Sequence, residues 1–198
     1  MTLSSILQKS WVTIEQVYKH GKLCSERHLQ AELFHVLQSD LNFTRKYQLF
    51  VEPNIYSTSD KFKSAKIHGI IPDIIIADGN NIACIMELKY CPTGYIPFEK
   101  DLDTFSKFHE HKGHSDNIFL TTNPLTGDYN YDIKYSISKN LILAYGIIAN
   151  EYSYAITNPA DIWTDKRFVN LPLTNYLYLI GSVNNMTDSK FYTIDKTH

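Results

Sequence analysis

Apolar residues along this chain recur at two spacings, and the two alternate in blocks. Ile6, Leu7, Trp11, Ile14, Val17 and Tyr18 fall near helical spacing and predict an amphipathic helix over residues 3–20, stopping at Gly21. Ser25 can cap a second helix running to about residue 41, with Leu29, Leu33, Val36, Leu37 and Leu41 as its stripe. Residues 45–53 read as a strand with Tyr47, Leu49 and Val51 on one face. Residues 70–77 and the approach to Met86 are rich in β-branched residues, and Asp78-Gly79-Asn80-Asn81 between them is a turn signal. This predicts a β-hairpin. Its strands are apolar at nearly every position, so both faces should be buried, as in the centre of a helix-covered sheet.

Further on, residues 91–97 are turn-rich, and 98–112 read as a helix with Phe98, Leu102, Phe105 and Phe108 or His109 inward. Residues 116–122 read as a strand, and the helix before them suits a crossover to a parallel neighbour of the hairpin. Residues 123–135 are a loop, 140–150 and 152–157 two strands, and Asn158-Pro159 opens a short helix to about 168. Residues 176–183 are a last strand before a polar tail. The fold class expected is α/β (α+β): one domain over residues 1–198, with a central mixed sheet flanked by helices and extra C-terminal strands.

Three charges interrupt the apolar hairpin: Asp73 in its first strand, Glu87 and Lys89 in its second. Period two puts Glu87 and Lys89 on one face, with Met86 and Leu88 on the other. A charge in a buried strand costs several kcal/mol, on the order of the effective burial penalty, unless it is paired or ligates a metal. The register decides whether the carboxylates meet. If Asp78 pairs with Ile82 across a three-residue turn, Asp73 lies opposite Glu87 with Cβ atoms roughly 5 Å apart. A two-residue turn at Gly79-Asn80 would put Asp73 opposite Met86 instead. A shared cation therefore requires the odd-length turn, or a bulge with the same effect.

A third acidic group comes from the second helix. At about 100° per residue, Glu26 falls roughly 20° from Leu33, inside the stripe, and Glu32 near its edge. Glu26 reads either as a favourable charge at a helix start or as an acid aimed at the sheet. Gln30, one turn on, can brace it or contact a phosphate. Residues 54–66 carry Lys61, Lys63 and Lys66, with His68 beside them. They read as a solvated loop, or as a mobile basic edge for a polyanion. His109, His111 and His114 fit no zinc spacing and read as a solvated helix end.

Composition narrows the classes. The 198 residues carry a net charge of −2 and a pI of about 6.4, so no global basic field announces nucleic acid. This leaves room for an enzyme with a local groove. The three cysteines, Cys24, Cys84 and Cys91, make no disulfide framework, which suits a reducing cytosol. A signal-peptide pattern is missing, and the longest apolar stretch, 141–149, is too short to span a bilayer. The expectation is a cytoplasmic protein with no membrane contact.

Pro72-Asp73, thirteen residues, then Glu87-Leu88-Lys89 resembles the PD-(D/E)XK signature of restriction-endonuclease-like nucleases. The order of elements resembles that family's core over about residues 25–122: a helix with an acidic residue, three antiparallel strands, a helix, a fourth strand. Residues 123–198 form a C-terminal extension outside the resemblance. The resemblance implies that Asp73 and Glu87 bind Mg²⁺ (Mn²⁺ as substitute), with the Leu88 carbonyl as a further ligand. It implies an outer or second-metal contact for Glu26, with Glu32 as the substitute, and a water-orienting and charge-stabilising role for Lys89. Gln30 and Lys107 are candidates for substrate contact. Hard oxygen donors suit such ions, and activity is expected to fall at low pH, where carboxylates protonate.

The function expected is hydrolysis of DNA phosphodiester bonds, DNA rather than RNA, by an endonuclease of restriction, phage defence or repair, acting as a homodimer or with a partner subunit. The alternative is a catalytically inactive module of the same fold that binds nucleic acid or a partner protein. A buried structural ion triad is the bland reading. A third reading is an α/β domain with an accidental motif, which predicts that Asp73 and Glu87 point to different faces.

Overall fold

The computed structural model describes residues 1–93, 98–114, 117–123, 128–129, 133–158, 175–185 and 187–197. Helix α1 (Leu3–Lys19) buries Ile6, Leu7, Trp11 and Ile14, as the spacing predicts. It ends where Gly21 takes φ +69°, with Gly21 N–H bonding Tyr18 O and Lys22 N–H bonding Val17 O. Helix α2 (Glu26–Ser39) starts at Ser25, whose hydroxyl accepts from His28 N–H. It stops short of 41 because Asp40 accepts from Asn42 and Phe43 N–H and begins a separate turn, α3 (Leu41–Thr44).

The sheet is built from β1 (Tyr47–Val51), β3 (Ile74–Asp78), β4 (Asn81–Cys91), β7 (Ser136–Asn150), β8 (Tyr176–Val183) and β9 (Ser189–Asp195). These six pair in the order β1-β3-β4-β7-β8-β9. The β1-β3-β4 and β8-β9 pairings are antiparallel; β4-β7 and β7-β8 are parallel. The result is a mixed α/β fold around a central mixed sheet. Helices α1 and α2 cover one face, over Ile74, Ile76, Met86, Leu88, Ile148 and Leu179. Helix α5 (Glu99–Glu110) covers the other, over Ile75, Ile85, Leu143, Tyr145 and Ile147. Ile74–Ala77 are fully buried, in line with the expectation for a central hairpin.

Several expectations need correction. Residues 54–66 are not a plain loop: they hold β2 (Ile55–Ser57) and α4 (Asp60–Ser64). Ile55 and Phe62 supply the apolar anchors, both fully buried beneath the polar composition. The strand expected at 116–122 is β5 (Ile118–Asn123), but it is not the parallel neighbour of β4. It joins β2 and β6 (Asp128–Tyr129) in a second sheet of three strands. The crossover therefore runs on to β7, which lies beyond the 25–122 span of the resemblance. Residues 152–157 contain a helical turn, α6 (Tyr154–Thr157), where Ser153 O takes the N–H groups of Ile156 and Thr157. The polar tail is a strand, β9: its Phe191 packs on Trp11 and Tyr18. The helix expected from 158 to 168 lies outside the described residues. No helix among the described residues is long and apolar enough to cross a membrane.

Candidate active site

The hairpin turn has two residues, Gly79 and Asn80, with Asp78 paired to Asn81 and Gly79 at φ +57°. By itself that turn would separate the carboxylates. A bulge reverses the outcome. Ala77 pairs with Ile82 and Ile76 with Cys84, so Ala83 is an extra residue in β4. Ala83 and Cys84 both lie toward the α1–α2 face, and Ile82 and Ile85 toward α5. Beyond the bulge the register runs Ile75 to Ile85 and Ile74 to Met86. One step further places Asp73 across from Glu87, on the α5 face.

Asp73 stands in the bend before β3. Its carboxylate Oδ2 accepts from Leu88 N–H at 2.6 Å. Its backbone carbonyl accepts from Gln30 Nε2 at 2.9 Å and from Glu52 N–H at 2.9 Å. Both ends of the residue are thereby fixed to α2, to the residue after β1 and to β4. Gln30 is buried, and its amide braces the site's backbone.

Glu87 is 6% exposed. Burial, then the charges of Asp73 and Asp101, push its carboxyl up to about 9, with Lys89 opposing and a hydrogen bond to Asp73 adding to the rise. At neutral pH and without a cation, Glu87 holds a proton and gives it to Asp73 in that hydrogen bond. A buried carboxyl held protonated against a second one marks a place where a divalent cation would take the proton's position.

Lys89 follows on the same face. Its ammonium lies 3.2 Å from Asp101 Oδ2 and 3.8 Å from Glu26 Oε2, and donates to Leu88 O at 3.1 Å. Burial pulls the ammonium's pKa down, but Asp101, Glu26 and Asp73 outweigh it and hold the lysine above its ordinary value. Glu26 enters from the start of α2, which the Tyr90 hydroxyl ties to the end of β4 through Leu23 O at 2.8 Å. Burial raises the Glu26 carboxyl against the pull of Lys89. Glu32 turns away and pairs with His28 at 3.8 Å, so Glu26 is the α2 acid that faces the site.

Sequence reasoning missed Asp101 and Tyr145. Asp101 is 4% exposed, accepts from Tyr145 O–H at 2.8 Å and meets Lys89. A signal was available: Asp101 falls three residues after Phe98 and four before Phe105, inside the apolar stripe of α5. Lys107 is not brought to the site. Its ammonium pairs with Asp103 one turn earlier. The helix end at 109–114 is not simply solvated: His111 is buried, its Nδ1 2.8 Å from Lys107 O and its ring 4.9 Å from Phe62.

Among the described residues, no set of three or more His, Cys, Asp or Glu side chains is arranged to hold a metal ion. That does not disqualify Mg²⁺. This ion is commonly held by one or two carboxylates, with water and substrate phosphate completing the octahedron. Asp73, Glu87 and the Leu88 carbonyl, whose second lone pair is left after Lys89, fit it by donor chemistry. Comparison with known proteins adds no relative: no family model, curated protein or solved structure matches the chain.

Proposed function

We propose that this protein is a Mg²⁺-dependent nuclease of the PD-(D/E)XK type, hydrolysing DNA phosphodiester bonds. The observation that carries the reading is the bulge at Ala83, which sets Asp73 and Glu87 together with Lys89 on one face. An accidental motif has no reason to correct its own register. The order of elements supports the same reading. Acidic α2 is followed by antiparallel β1, β3 and β4, then α5, then β7 beside β4.

In this reading Asp73 and Glu87, with the Leu88 carbonyl, hold Mg²⁺ or Mn²⁺. The ion, when bound, neutralises phosphate charge and acidifies water. Lys89 stands next to the carboxylate pair as a point donor for the attacking water and for charge on the phosphoryl oxygens. Glu26 and Asp101 keep that ammonium charged and placed. Gln30 holds the Asp73 backbone. A protein that cuts both strands needs two such sites, which a homodimer or a partner subunit would supply.

A catalytically inactive module of the same fold is the second reading. It is favoured by one observation: the Lys89 ammonium already has Asp101, Glu26 and Leu88 O around it. Cleavage of supercoiled plasmid and of single-stranded DNA with Mg²⁺ or Mn²⁺ separates the two. Cutting that EDTA stops, and that Asp73→Ala and Lys89→Ala both abolish, supports the nuclease. Folded protein that binds DNA without cutting supports the module. Neither cutting nor binding sinks both.

A further inference from the structure

The Lys89 ammonium has three protons and three acceptors near it, drawn from α2, β4 and α5. The one on α5 is itself fixed. Asp101 is nearly fully buried, and the same Oδ2 that meets Lys89 accepts from the Tyr145 hydroxyl at 2.8 Å. Tyr145 has no exposed surface and is flanked by the Phe105 ring at 6.0 Å and the Tyr178 ring at 5.9 Å, both edge-on. On β7, Tyr145 is the register partner of Glu87. The tyrosine, the aspartate and the lysine thus form one chain of contacts from β7 through α5 to β4, and it ends on the face of β4 that carries Glu87, within electrostatic reach of Asp73 and Glu87.

Lysine has a four-carbon stem with freely turning bonds, so one rigid partner determines where its charge stands. Glu26 is a poor candidate for that partner, being half-exposed and 3.8 Å away. Asp101 is a good one. It sits in the first turn of α5, where the helix dipole favours a carboxylate.

We propose that Asp101, fixed by Tyr145, is the positioning residue for Lys89 and holds its ammonium at the Asp73–Glu87 pair. Asp101 lies outside the Pro72-Asp73…Glu87-Leu88-Lys89 signature. The catalytic consequence rests on the nuclease reading; the contact itself does not.

Two measurements keep those apart. The first is the ¹⁵N-detected side-chain ammonium signal of Lys89 without metal or DNA, assigned with Lys89→Arg. A held ammonium exchanges its protons slowly and gives a resolved signal. The wild type is expected to show it and Asp101→Asn to lose it. A missing wild-type signal, or one unchanged in Asp101→Asn, overturns the proposal whether or not the protein cuts DNA.

The second is turnover at saturating metal and DNA. Asp101→Asn is expected to lower kcat by about 10- to 100-fold, with the KM for DNA unchanged. A loss that appears in KM instead, with kcat intact, overturns the positioning role. Should Asp101→Asn fail to fold, Tyr145→Phe keeps the charge and the ring packing. It is then expected to speed proton exchange at Lys89, and a folded Tyr145→Phe protein with an unchanged signal overturns the proposal.

Discussion

Asp73 stands across from Glu87 because β4 carries one residue more than β3 between its turn and Met86. Ala83 is that residue, and removing its effect would turn Glu87 and Lys89 to the α1–α2 face. The two carboxyls then share a hydrogen bond, with Glu87 nearly closed to water. A stability dependence on pH follows from that burial.

The folded Glu87 carboxyl holds its proton up to about pH 9, whereas the unfolded chain releases it near 4.5. Between those values the folded state binds more protons, so stability falls as pH rises. Below the lower value the contribution is fully present; it is lost as pH climbs through the upper one. Glu26 and Asp101, also raised, act in the same direction. Metal-free protein should therefore melt higher at pH 6 than at pH 9, and Glu87→Gln should flatten the profile. Superimposable Tm–pH curves for the two proteins would remove the basis for this account.

Cation binding should run the opposite way. A Mg²⁺ ion at Asp73 and Glu87 displaces the Glu87 proton at any pH below about 9. Affinity is expected to rise with pH by up to about tenfold per unit, the limit for one released proton. Calorimetric titration at pH 6.5 and 8.5, in buffers of different ionisation enthalpy, reads both the affinity and the proton. Binding with no proton release would place the ion elsewhere.

Gln30→Ala should cost about 1 kcal/mol, a typical hydrogen-bond loss, because the amide is buried against Asp73 O. DNA affinity should not change. A Gln30→Ala protein of wild-type stability but weakened DNA binding would return this residue to the substrate surface.

The two acids of α2 are expected to differ. Glu26→Gln removes a charge beside Lys89 and should lower cleavage. Glu32→Gln, out with His28, should leave cleavage alone and change stability by no more than about 0.5 kcal/mol. Equal effects from the two substitutions would contradict the helix phase described here.

Gly146 lies on β7 beneath Leu88. A Cβ there would stand 2.6 Å from Leu88 Cδ2 and 3.5 Å from the ring of Trp11, which α1 buries on this face of the sheet. Gly146→Ala should destabilise by about 1–3 kcal/mol, the usual range for overpacking. Leu88→Ala in the same chain should recover part of it, and urea unfolding of the four proteins in that cycle decides the point.

Much was legible in the sequence because it was written at short range. The spacing of Ile6, Trp11 and Ile14 identified α1, Ser25 and Gly21 marked helix ends, and the apolar runs around Gly79 marked the hairpin. Period two placed Glu87 and Lys89 on one face, and the phase of α2 put Glu26 inside the apolar stripe, with Glu32 as its substitute. These are properties of one segment at a time, and a local pattern is enough to state them.

Everything that joins segments distant in the chain was decided by tertiary structure. No local pattern marks Ala83 as the residue the register skips, since its neighbours are apolar on both faces and either register buries them. The β5 strand looked like a sheet neighbour of β4 but pairs with β2, because pairing is chosen among all the edges available and not by chain order. Lys89 is surrounded by residues 26, 88 and 101, and its partner Asp101 by residue 145. The sequence by itself marked Asp73, Glu87 and Lys89 as charges set among apolar strand residues. Folding determined which of them meet, because the cost of a buried charge is relieved only by partners that three-dimensional packing brings within a few ångströms.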